Sequence, residues 1–93
     1  MKLHLELEAY RDRLMERAAA WPETPEADLV RDLQQCVAQI ALLEKGVAAL
    51  RARVAEAPGD EALAHRASIQ DQMREMTAAY AEVLRRHLEG RTS

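Results

Sequence analysis

From Leu29 to Val54 the chain places an apolar residue at 29, 33, 36, 40, 43, 47, 50 and 54, in alternating steps of four and three. That spacing draws one stripe along a helix of 3.6 residues per turn and matches the heptads of packed helix pairs. A half-buried strand would alternate every second residue, and this segment does not. The stripe therefore demands a helix at least about 39 Å long with one face to bury. The chain that must bury it has only 93 residues. A chain of that size hides roughly 60–65% of its unfolded surface, so its core is thin and partners can contribute to its stability.

Two interruptions divide the sequence. In WPETPE, 21–26, Pro22 ends a preceding helix, and Thr24 followed by Pro25 reads as an N-cap with proline at the first helical position. In APGD, 57–60, Pro58 and Gly59 stop a helix and Asp60 can cap the next. Three helices are expected within a single domain, 1–93: about 2–20, about 25–56 and about 60–89, with a short tail at 90–93.

The third helix has its own seam at Ile69, Met73, Met76, Tyr80, Val83 and His87, widened by Leu84 and Leu88. In the first, Leu7, Tyr10, Leu14 and Trp21 share a face, and Arg17 stands where that face wants an apolar residue. The short turn at 57–60 predicts that the second and third helices are antiparallel, with coiled-coil-like packing. The fold class expected is all-α, a long antiparallel hairpin with a shorter N-terminal helix packed on one half.

The short linker at 21–26 predicts that helix one runs back along helix two and covers Leu29 to Leu43. Toward the turn, Ala48, Ala49, Ala52, Ala55 and Ala57 are expected to face Ala62, Ala64 and Ala67 in a tight, two-helix tip. The surface left uncovered there would be lined by Val47, Leu50, Val54, Leu63 and Ile69, the candidate protein-binding residues.

Chemistry is sparse. His4, His65 and His87 fit no Glu-x-x-His pattern of the kind that builds metal sites in helical bundles. No catalytic, cofactor or metal site is expected. Cys36 is the single cysteine and falls in the apolar stripe, where it behaves as a small hydrophobe. Arg17 and His87 carry the alternative function, a small helical enzyme or ligand sensor that binds an anionic small molecule.

A net charge of −3 argues against nucleic acid, which requires a concentrated basic face. The arginines at 51, 53 and 66, and at 85, 86 and 91, are interrupted by acids. No apolar run reaches the roughly 18 residues of a membrane span, and the first residues, MKLHLELEAYRDR, lack a secretory core. A cytoplasmic chain is the expectation.

The segment AYRDRLMERAAAW, followed by DLVRDLQQCVAQIALL, resembles the start of small helical export chaperones of bacterial flagellar and type III secretion systems. Some of those carry a Trp before a leucine-spaced helix with a Cys. The resemblance covers about half the chain and implies a helical hairpin that lends a partner apolar surface. The function expected is non-enzymatic protein binding, as an adaptor, export-chaperone-like or inhibitory subunit, toward a partner helix or a second copy in a homodimer.

Overall fold

The computed structural model describes residues 2–92, with side chains from 5 to 91, so His4 lies outside the described side chains. Three α-helices follow one another: α1 (Lys2–Ala19), α2 (Glu26–Glu56) and α3 (Glu61–Thr92), with a single 3₁₀ turn at Trp21–Glu23. No strand occurs among the described residues. The long helices α2 and α3 pack antiparallel, and α1 packs on one half of that hairpin. The third helix runs three residues past its expected end, so Gly90 and Arg91 are helical rather than tail.

The turns show how sequence sets the boundaries. Asp60 caps α3 as expected, its Oδ1 accepting from the Leu63 N–H at 3.0 Å. Thr24 does not cap α2. Proline at 25 holds Thr24 extended, at φ −96° and ψ 131°, and its hydroxyl turns back to donate to the Ala20 carbonyl at 2.6 Å. The Pro25 carbonyl instead receives the first α2 amides, from Asp28 and Leu29. Arg91 then locks the linker from the far end of the chain, donating to the Trp21 carbonyl at 2.7 Å and the Thr24 carbonyl at 2.9 Å.

The stripe on α2 is the hairpin seam. Leu29, Cys36, Leu43 and Val47 are buried, Leu33 and Ile40 are half-buried, and burial loosens at Leu50 and Val54. On α3 the inner face is set by two neighbours rather than one. Thr77, Tyr80, Ala81, Leu84 and Leu88 are buried, with Leu84 at 0% exposure, whereas Val83 is 54% exposed. The expected seam residue Val83 thus points out of the core.

The first helix departs from expectation in the neighbour it packs on. It packs on α3, with Tyr10 at Thr77 and Trp21 at His87, so it runs in the same direction as α3. The α2 stripe from Leu29 to Leu43 that it was expected to cover packs toward α3, and α1 meets α2 through a polar pair, Arg17 with Asp32. Leu14 and Trp21 join one apolar cluster with Tyr80, Leu84 and Leu88 of α3 and with Leu29 and Cys36 of α2.

At the tip the alanines do not form the interface. Of those expected to face one another, only Ala67 is buried, and the rest lie toward solvent. An alanine offers little area to bury, so the larger Val47, Leu50, Val54, Leu63 and Ile69 take the inner positions. One main apolar cluster therefore sits at the three-helix end, and the tip is held by a thinner seam.

That asymmetry predicts unequal losses on truncation. Leu84→Ala should cost about 2–5 kcal/mol in urea unfolding, and Leu50→Ala clearly less, because its site is already partly wet. Equal losses would contradict the placement of the core.

Candidate functional site

Three regions carry side chains that could meet another molecule. The first is the tip. Val47 and Ile69 are buried between α2 and α3, at 4% and 7% exposure, so they serve the seam. Leu50, Val54 and Leu63 are half-buried and remain available at its edges. A shallow depression of about 240 Å³ beside Val54 is framed by Arg51 and Asp71. Those two form a cross-hairpin ion pair at 3.2 Å, and Arg74 donates to the same carboxylate at 2.9 Å.

The second region is a polar cleft where α1 splays from α2. Tyr10 and Arg17 come from α1, Asp32, Gln35, Cys36 and Gln39 from α2, and Thr77 forms the floor from α3, around about 330 Å³. Its groups are largely spoken for. Arg17 Nη2 donates to Asp32 Oδ1, and the guanidinium lies 4.7 Å from the centre of the Tyr80 ring. The Tyr80 hydroxyl donates to Asp32 Oδ2 at 2.5 Å and accepts from Trp21 Nε1 at 3.1 Å. Tyr10 hydrogen-bonds to the Thr77 hydroxyl, which donates to the Met73 carbonyl at 2.8 Å.

Electrostatics follow from these contacts. Burial is the largest single influence on Arg17 and would lower its pKa, but the bond to Asp32 and the neighbouring Tyr80, Asp32 and Cys36 together outweigh it and hold the guanidinium charged. Burial pushes the Cys36 thiol up, and the Asp32 carboxylate pushes the same way against the opposing pull of Arg17. A thiol held protonated is a poor nucleophile, so Cys36 acts here as packing. Burial, with the bond to Asp32, also raises the Tyr80 phenol.

The two residues of the ligand-binding alternative do not share a cavity. Arg17 lines the cleft, whereas His87 packs its ring 5.3 Å from Trp21. His87 Nε2 is buried and meets no hydrogen-bond partner among the described residues. No group of three metal-ligating side chains occurs among the described residues, and no described helix is long and apolar enough to cross a membrane.

The third region was not legible in the sequence. Between α1 and α3, on the side away from the polar cleft, two adjoining depressions of about 360 and 280 Å³ share Arg11, Met76 and Ala79. Together they make one groove running from Leu7 and Gln72 to Trp21 and Val83. On each helix its lining residues lie up to eleven positions apart, 7 to 18 and 72 to 83, about 16 Å of length. Met15, at 62% exposure, and Val83 stand at its rim. The available signal was Met15, an apolar residue next to Leu14 whose place beside the α1 stripe could have marked a second apolar edge.

Beyond the geometry, the chain matches no protein-family model, no curated protein and no solved structure. The likeness of its first half to export chaperones rests on those residues alone.

The Tyr80 contacts make a pH-dependent prediction. Tyr80→Phe leaves Trp21 Nε1 and Asp32 each short of a partner and should cost about 1–3 kcal/mol near neutral pH. The folded phenol holds its proton above the ordinary value of about 10, so the unfolded chain releases that proton first as pH rises. The stability advantage of the wild type over Tyr80→Phe should therefore be full below pH about 10 and shrink above it. Urea unfolding across that range measures it; an advantage that grows with pH would contradict the assignment.

Proposed function

We propose that this chain is a non-enzymatic, cytoplasmic protein-binding module that offers apolar surface to a partner helix or to a second copy of itself. The observation that carries this reading is surplus surface. A compact monomer of 10.5 kDa exposes about 5,400 Å², and this chain exposes 6431 Å². Its radius of gyration is 15.7 Å, against about 12 Å for a compact domain of 93 residues.

The surplus is partly apolar. Met15, Val83, Val37 and Leu42 are all more than half exposed, and Leu50, Val54 and Leu63 are partly so. Side chains of this kind, once covered, contribute about 1.5–3 kcal/mol each. The ion pair between Arg17 and Asp32 favours this reading over an anionic ligand, because an incoming anion would have to displace a carboxylate already in place.

The test is affinity capture from the cells that make the chain, with wild type compared against two double variants. Leu50→Glu with Val54→Glu alters the tip; Met15→Glu with Val83→Glu alters the groove. One of them should lose a protein that the wild type retains, with helical circular dichroism preserved. A monomeric wild type whose captured proteins match those of both variants would contradict the proposal.

A further inference from the structure

We infer that the groove between α1 and α3 is the interface of a two-fold homodimer, in which α3 of one copy crosses α3 of the other near Ala79 and Val83. The inference rests on the protein-binding reading and names the partner as a second copy of this chain.

A two-fold interface must be self-complementary, because the same patch serves on both sides. This patch is. It carries projecting apolar side chains, Met15 and Val83, directly beside the hollow they could fill, whose floor is Met76 and Ala79. Alanine at 79 lets a second helix approach closely, and methionine adapts its shape to what it meets.

Charge supplies the register. Glu75 borders the groove at one end and Arg86 follows it by eleven residues on α3. Eleven residues make three turns with about 20° of residual rotation, so both lie on one face, about 16 Å apart. Both side chains are exposed, at 65% and 72%. Among the described residues they pair with neighbours on their own helix, Glu75 with Arg74 and Arg86 with Glu82. A two-fold axis passing over α3 between Ala79 and Val83 brings Arg86 of each copy against Glu75 of the other, twice over. A parallel arrangement would set like charges together.

A stable two-fold contact buries roughly 800 Å² on each partner, about an eighth of the 6431 Å² that this chain exposes. A groove about 16 Å long, widened by its apolar rim, is a continuous patch on which to place it.

Sedimentation equilibrium of the full chain tests this. Wild type should be a dimer. Glu75→Arg and Arg86→Glu should each weaken association by about tenfold or more, because each sets like charges opposite one another. The two reversals combined should restore it, an outcome that a merely damaged fold would not give. Val83→Asp should yield a monomer with its helical circular dichroism intact. A monomeric wild type, or a dimer indifferent to all of these variants, overturns the inference. A dimer lost only with Leu50→Glu and Val54→Glu overturns it as well, yet leaves the protein-binding reading standing at the tip. If the wild type is monomeric and cellular capture is unchanged by tip and groove variants alike, both fail.

Discussion

Burial of one apolar stripe on α2 against α3 is the constraint on which the rest of the molecule depends. The two helices have 31 and 32 residues, nearly equal, so the hairpin closes on itself from the Asp60 cap to the Arg91 clamp. The first helix has only 18 residues and cannot follow it to the end. From that mismatch come the extents of 52 × 24 × 15 Å, the thick end with its buried Leu84, and the thinner tip. A chain so built cannot reach the surface economy of a compact domain.

Polar contacts decide where the short helix docks. Trp21, Tyr80, Asp32 and Arg17 form a chain of hydrogen bonds that ties the end of α1 to both long helices. Each member is placed by a contact next to it: Trp21 and Tyr80 by the core cluster, Arg17 by the face of the Tyr80 ring, Asp32 by Leu29 and Leu33 along α2. Exposed ion pairs contribute little, as with Arg85 and Arg86 around Glu82. A partly buried network is different, because removing one member strands the others. The same network draws α1 toward α3 and opens the two faces of unlike character, the polar cleft on one side and the apolar groove on the other.

The periodicity of α2 was legible because one neighbour, α3, buries one stripe, and Leu29 through Val54 record that directly. The α3 pattern was harder to read because it answers to two neighbours, so Val83 keeps heptad spacing yet faces outward while Leu84 occupies the centre. The side on which α1 lies was not legible from loop length. A short linker allows either placement, and the choice fell to Tyr10 and Trp21, which find Thr77, Tyr80 and His87 on α3. Thr24 and Pro25 carried the residue types of a helix start, but the proline held the threonine extended and its hydroxyl found the Ala20 carbonyl instead. The tip residues Val47 and Ile69 were legible as apolar; that they would be sealed in the seam, with Leu50, Val54 and Leu63 at its edges, depended on packing that alanine spacing did not reveal.

The central claim is that this fold is completed by association. Anything that binds the folded chain and not the unfolded one raises apparent stability by mass action, so self-association makes the thermal midpoint depend on protein concentration. The direct measurement is thermal unfolding by circular dichroism over a wide dilution series in one buffer. The account predicts a midpoint that rises steadily with concentration in the wild type and stays constant in Val83→Asp. A wild-type midpoint independent of concentration would contradict it.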